Sequence, residues 1–379
     1  RVEFFSKIIA STRSFADLDL ATFTTGPAGF RIIGAAATDR HGMSMANAGD
    51  FNSDGIDDII TCAPYGTMSA TANEGVCYMI FGQLADRADI DLATFAFEST
   101  TGFIIAGYSA NLMLGFSTAG AFDFNGDGVS DVAIGDDIGA YVLFGQLANY
   151  PHTSFSTAGF ASTTSSGVYI HNNPFVAGWG KRLYSVGDVN GDGIGDILMY
   201  CVKEDATHGV VVYGSTDAGT AAIDIADLYS ASLLGYSITA GSAFPLFHLK
   251  PAGDINGDGK DDLLVGQADA VAHGRDQAGI VCVMYGQNDT ASREPVLLSD
   301  FVNGPTTGVR FFGAANAYLG FPNLGFSGDY AGPAMMASAG DFNHDGKADI
   351  MFATTITDDD TYERAGSHQV YVLSAELSA

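Results

Sequence analysis

The sequence predicts an all-β chain folded as a single closed β-propeller, most simply five four-stranded blades around one axis, and three observations predict it. First, five nine-residue stretches match one another: DFNSDGIDD (50–58), DFNGDGVSD (123–131), DVNGDGIGD (188–196), DINGDGKDD (254–262) and DFNHDGKAD (341–349). Their starts lie 73, 65, 66 and 87 residues apart, a spacing that marks a repeat architecture. Second, other segments recur in phase, DLATF at 19–23 and 91–95 and FGQLA at 81–85 and 144–148. Third, no segment sustains a helical period, whereas runs of four to seven residues rich in Val, Ile, Phe and Tyr, bounded by Gly and Asp, read as strands.

Each repeat supplies these runs in one order. A glycine-containing stretch of small and apolar residues precedes the loop, as in HGMSMANAG before Asp50 and LGFSTAGAF before Asp123. A short apolar run follows it (IITCA, VAIG, ILMYC, LLVG, IMFAT), then a third strand ending in a turn (VCYMIFG, AYVLFG, GVVVYG, IVCVMYG, HQVYVLS). After a linker comes the fourth: GFRIIG, GFIIAG, GVYIHN, SLLG or GVRFFG. Four strands per repeat make a propeller blade. The repeats run over approximately 36–108, 109–172, 173–237, 238–314 and 315–379, within one domain of residues 1–379. Seven blades is the alternative count. The last repeat has its first three strands near 333–341, 349–354 and 368–374 and no fourth, while GFRIIG at 29–34 is a fourth strand to spare. The expectation is that residues 29–34 close the ring by completing the C-terminal blade, which removes two exposed edges at once. Residues 1–10 resemble the third strand of a further repeat, and the linkers near DLATF leave room for a turn of helix.

Composition narrows the function. The chain has 379 residues, 48 glycines, 16% charged residues and a formal charge of −28. A polyanion is not drawn to nucleic acid or to an anionic membrane surface. Four cysteines, Cys62, Cys77, Cys201 and Cys282, have no CxxC spacing, so zinc and redox sites are not expected. Each lies in an apolar run, where a buried free thiol is the default, with a Cys62–Cys77 bridge between neighbouring strands as the alternative. No run of about 18 apolar residues is present to span a membrane. The chain begins at Arg1 with no signal sequence and reads as a processed or excised segment.

The aspartates are placed for a cation. The first loop offers carboxylates at Asp50, Asp54 and Asp58, the amide oxygen of Asn52 and the backbone carbonyl of Ile56. The others repeat the set: Asp123, Asn125, Asp127, Val129 and Asp131; Asp188, Asn190, Asp192, Ile194 and Asp196; Asp254, Asn256, Asp258, Lys260 and Asp262; Asp341, Asn343, Asp345, Lys347 and Asp349. Five or six hard oxygen donors on nine residues suit Ca2+, and up to five ions are expected; Mg2+ demands stricter octahedral geometry. Asp, Asn and Gly are also ordinary turn formers. A turn needs one or two of them, whereas three crowded carboxylates repel one another without a cation. EF-hand loops start alike but need an acidic twelfth residue, and here that position is Thr61, Ile134, Met199, Val265 or Phe352.

The segment HGMSMANAGDFNSDGIDDIITCAP (41–64) resembles the FG-GAP repeat of integrin α subunits and of many microbial surface proteins. The likeness covers roughly residues 18–375. It implies a propeller with calcium in the loops of one face and an extracellular, secreted or cell-surface setting, with protein contacts on the opposite face. Integrin α subunits have seven blades with calcium loops in only some; here there are five loops.

Outside the loops the chemistry is sparse. Eight histidines are scattered, and no HExxH, GxSxG or phosphate-binding loop occurs, so no catalytic residue is expected. Trp179 is the sole tryptophan, with packing between blades the leading role and a sugar platform the alternative. Arg31 and Arg310 stand at equivalent fourth-strand places; Asp358, Asp359 and Asp360 form an acidic tip; Asn288 opens a glycosylation sequon. The expected function is an extracellular, calcium-stabilised scaffold or adhesion module binding a protein or glycan partner, with self-assembly open. The alternatives are a lectin, which would need a pocket recurring in each repeat, and the non-catalytic domain of a secreted enzyme.

Overall fold

The computed structural model describes residues 25, 29–68, 72–85, 87–145, 154–156, 166–171, 178–202, 207–216, 222–230, 233–239, 248–267, 271, 273–276, 278–288, 295–298, 301–313, 319, 336–355 and 368–373. They are almost entirely strand and turn. In chain order the strands are β1 (Ile32–Ile33), β2 (Ser44–Gly49), β3 (Asp58–Ala63), β4 (Val76–Ile80), β5 (Ile90–Asp91), β6 (Gly102–Ala106), β7 (Ser117–Phe122), β8 (Asp131–Gly135), β9 (Gly139–Leu143), β10 (Ser154–Ser156), β11 (Gly167–His171) and β12 (Leu183–Gly187). Then come β13 (Asp196–Val202), β14 (Thr207–Val212), β15 (Ala222–Asp224), β16 (Gly235–Thr239), β17 (His248–Gly253), β18 (Asp262–Gln267), β19 (Ile280–Met284), β20 (Val296–Leu297), β21 (Gly308–Phe312), β22 (Met336–Gly340), β23 (Asp349–Thr355) and β24 (His368–Leu373). Two 3-10 turns, Trp179–Lys181 and Ile225–Tyr229, are the helical elements described; the second stands in a linker.

Each repeat folds as an antiparallel meander. The sheets run β2-β3-β4-β6, β7-β8-β9-β11, β12-β13-β14-β16 and β17-β18-β19-β21, and the last described one is β22-β23-β24. The fourth strand of the third repeat begins at Gly235, just beyond most of the SLLG run, because Gly235 pairs with Val212 at the end of β14. Middle strands such as β4 (VCYMI) are buried on both faces and carry unbroken apolar runs. Consecutive sheets share cores: Phe51, Met79 and Phe103 with Val132 and Tyr141, Val142 and Ile170 with Leu183 and Val210, Leu198 and Tyr236 with Leu249 and Leu263, Leu264 and Val283 with Ile350 and Phe352. Sheets stacked face to face in chain order make the fold propeller-like.

Among the described residues no sheet closes the ring: β1 pairs with β5 alone, Ile32 and Ile33 running parallel to Ile90 and Asp91. The same relation recurs wherever a fourth strand is described with its follower: β6 takes β10, β11 takes β15 and β16 takes β20, always parallel. The linker of one repeat thus caps the outer edge of the preceding fourth strand, a fifth strand too short and irregular to read from periodicity. One expectation needs correction: Cys62 and Cys77 are bonded to each other rather than free. They face one another across β3 and β4 with Cα atoms 4.0 Å apart, while Cys201 and Cys282 are buried thiols. The segments 1–10 and Asp358 to Asp360 lie outside the described residues.

Candidate metal centres

All five loops sit at the turn from the first to the second strand of a sheet, and each is entered through a β-bulge. The residue just before the loop is Gly49, Gly187, Gly253 or Gly340 with positive φ; in the second repeat Ala121, one place earlier, takes the left-handed conformation instead. Inside the loops the sixth residue is always glycine, with φ from +84° to +88° at Gly55, Gly128, Gly193, Gly259 and Gly346. A side chain would meet nothing there, so the glycine serves the backbone conformation alone.

The predicted donors gather on the loop backbone. In the second loop the Asp127 amide donates to Asp123 Oδ1 (3.1 Å) and to Asn125 Oδ1 (3.0 Å), which draws those two oxygens to one point. The Gly128 amide donates to Asp123 Oδ2, the Val129 amide to Asp127 Oδ1 and Asn125 Nδ2 to Asp127 Oδ2. The first, third, fourth and fifth loops repeat this pattern, with Asp54, Asp192, Asp258 and Asp345 in the place of Asp127. In the first, second and fifth loops each of these oxygens accepts one such bond and keeps a second lone pair for a ligand, whereas Asp188 Oδ1 and Asp254 Oδ1 accept a second amide, from Gly191 and Gly257. Among the described residues no three His, Cys, Asp or Glu side chains converge as a ready-made metal cage. The loops therefore hold a preorganised oxygen set, not a closed coordination shell.

The ninth aspartate has a further role that sequence reasoning did not assign. Asp131 Oδ2 accepts from the Phe124 amide (2.7 Å), and Oδ1 accepts from the Gly145 amide (2.8 Å) just past β9. Asp58, Asp196 and Asp262 make the same reach to Gly82, Gly214 and Gly286. This explains the recurrent Phe-Gly or Tyr-Gly after the third strand: a Cβ on Gly145 would stand 2.3 Å from the Ser130 carbonyl oxygen. The repeated FGQLA was the available signal. Burial pushes the Asp131 and Asp262 carboxyls up to about 7 and Asp58 up to about 6, and the nearby loop carboxylates push the same way. Asp196 is likewise raised well above the usual range by burial. Carboxylates crowded and buried in this way are relieved by a divalent cation, so the residues present fit one.

Neighbouring loops are joined. The amides of Gly195, Asp261 and Ala348, each the eighth loop residue, donate at 2.8 Å to the carbonyls of Asp123, Asp188 and Asp254 in the preceding loop. In the fourth loop Lys260 Nζ lies 3.0 Å from Asp258 Oδ1, a cation already beside one donor.

The remaining candidates resolve as structure. Trp179 is 2% exposed and packs in the core between the second and third sheets, so it offers no sugar platform. Arg31 binds Asp89 through its backbone amide and guanidinium, and Arg310 binds Asn303 Oδ1 through the same two groups. Asn288 is exposed.

Residues 251–284, from β17 through the fourth loop to β19, match the FG-GAP repeat family. The chain is 32% identical to integrin alpha pat-2 of Caenorhabditis briggsae over 104 residues, 27% of this chain and 8% of that protein. It is 27% identical to human phosphatidylinositol-glycan-specific phospholipase D over 161 residues, 42% of this chain and 18% of the relative. The chain thus spans only a small part of the curated relatives it matches. The matched repeat and the integrin relatives support a likeness to integrin alpha-type FG-GAP repeat proteins, carried by residues 251–284 and by the aligned 104 residues.

Proposed function

We propose that the chain is an extracellular or cell-surface β-propeller module, stabilised by calcium in its five loops, that mediates protein–protein adhesion or assembly and is not itself catalytic. The observation that carries this reading is the oxygen-only donor set built identically five times over on one kind of turn. Donors would be the first, third, fifth and ninth side chains of each loop with the seventh carbonyl, and Ca2+ tolerates their irregular geometry better than Mg2+ does. The Cys62–Cys77 bridge fits an oxidising compartment. The integrin relatives favour adhesion over the lectin alternative.

The ring is proposed to close with five blades. The pairing of β1 with β5 repeats that of β6 with β10, so β1 stands in the place of a fourth strand whose third-strand neighbour is not its own. The last described sheet, β22-β23-β24, is the one that lacks a fourth strand. An adhesion assay tests the function. Surfaces coated with the chain should retain cells in calcium and release them in chelator, and retention untouched by chelator would contradict a calcium-dependent adhesive role.

A further inference from the structure

The five loops share a donor pattern but differ in the lone pairs they leave open. Among the described residues, Asp123 Oδ1 of the second loop accepts the Asp127 amide alone, and Asp127 Oδ1 the Val129 amide alone. The first loop matches this at Asp50 and Asp54, the fifth at Asp341 and Asp345. In the third loop Asp188 Oδ1 takes two amides, from Gly191 and Asp192. In the fourth, Asp254 Oδ1 takes two, from Gly257 and Asp258. A carboxylate oxygen that accepts two bonds has no lone pair left for a ligand.

The fourth loop differs again at its fifth residue. Asp258 Oδ1 accepts the Lys260 amide at 3.0 Å, and the Lys260 ammonium stands 3.0 Å from the same oxygen. The first three loops carry Ile56, Val129 and Ile194 at that seventh place and have no cation to offer. Lys347 holds the place in the fifth loop but makes no such ion pair among the described residues. The Lys260 stem is held down: its Cδ lies 3.0 Å from where a Cβ on Gly191 of the third loop would stand, and the side chain is 13% exposed. Lys347 lies in the same way over Gly257 of the fourth loop, its Cε 2.8 Å from the corresponding point. The fourth loop therefore has both Asp254 Oδ1 and Asp258 Oδ1 engaged, and a second lysine stem against it. An ammonium this close neutralises one carboxylate and repels any further cation.

We propose that Lys260 is a tethered counter-cation of the fourth loop, which makes that loop the weakest of the five calcium sites and the first to empty. The proposal rests on the calcium reading of the loops and goes beyond it, because occupancy becomes stepwise rather than uniform. Filling the fourth loop requires the ammonium to leave Asp258 Oδ1, and the stem that carries it lies on the third loop. The Asp261 amide donates to the Asp188 carbonyl and Asp261 Oδ2 accepts the Asp188 amide, so the two loops are tied at the same junction. The turn between β17 and β18 is thus the one that responds to a fall in calcium while the other loops stay filled.

The calcium-loaded full chain is dialysed against calcium buffers of falling free concentration, and bound ions per chain are counted at each step. One ion should leave at about tenfold higher free calcium than the next, as expected for a like charge beside the site. Lys260→Ile, which installs the residue of the first and third loops, should move that first loss down by about tenfold without changing the number of ions bound at saturation. Lys260→Arg, which keeps a cation, should leave it in place. Asp258→Ala should remove the weak ion and keep the tight ones. A single class of five ions, or a first loss unmoved in folded Lys260→Ile, would overturn the proposal and leave calcium binding itself standing. A chain that binds no calcium would overturn the calcium reading and the proposal together. Should Lys260→Ile not fold, Asp258→Ala decides: loss of the weak ion alone supports the assignment, and loss of a tight ion overturns it.

Discussion

Asp58 and Gly82 are joined across the first sheet: the Gly82 amide, just past β4, donates 2.8 Å to Asp58 Oδ1 at the head of β3. The other Asp58 oxygen holds the amides of Phe51 and Asn52 at the start of the loop. One buried carboxylate therefore ties the loop, the second strand and the exit of the third together. The loop cannot shift without disturbing the sheet, which links cation binding to blade stability.

The two kinds of loop aspartate should separate on mutation. Asp127→Ala removes an exposed donor and should lower the melting temperature in calcium while changing it little in chelator. Asp131→Ala also strands the buried amides of Phe124 and Gly145. It should destabilise in both conditions, by about 1–3 kcal/mol for the unsatisfied groups. Calorimetric scans of both variants with and without calcium check this; identical profiles would refute the division of roles.

Gly145→Ala tests the close approach behind the third strand. The added methyl would meet the Ser130 carbonyl oxygen at 2.3 Å and Val129 Cγ1 at 2.5 Å. The expected cost is about 1–3 kcal/mol, as for overpacking. Gly128→Ala, where nothing stands nearby, should cost about 1 kcal/mol from backbone strain alone. Urea unfolding of the two variants should rank them in that order.

The bridge between β3 and β4 closes a loop of 15 residues. Replacing Cys62 and Cys77 together by Ala should cost about 3 kcal/mol on the chain-entropy scale. Thiol titration of the denatured, unreduced protein should find Cys201 and Cys282 only. Four reactive thiols would show that the bridge does not form.

Much of this was legible in the sequence because repetition multiplies weak signals. The strands after each loop fall where the apolar runs stand, since middle strands buried on both faces need apolar residues throughout. Three features were not legible. The parallel edge strands β5 and β10 are held by backbone pairing to a strand of another repeat, which leaves no side-chain periodicity. The double role of the ninth aspartate depends on where the third strand ends in space, so Asp131 reads as one more donor until Gly145 is seen beside it. Cys62 and Cys77 are joined through strand register, which no spacing rule supplies.

Thermal unfolding of the intact chain in millimolar calcium and in excess chelator tests the central claim most directly. A cation that binds the folded loops and not the unfolded chain stabilises by mass action, by about 2.7 kcal/mol per site at a hundredfold excess over its Kd. The account predicts a melting temperature clearly lower in chelator, restored fully by calcium and only partly by magnesium. Superimposable curves in calcium and chelator would contradict it.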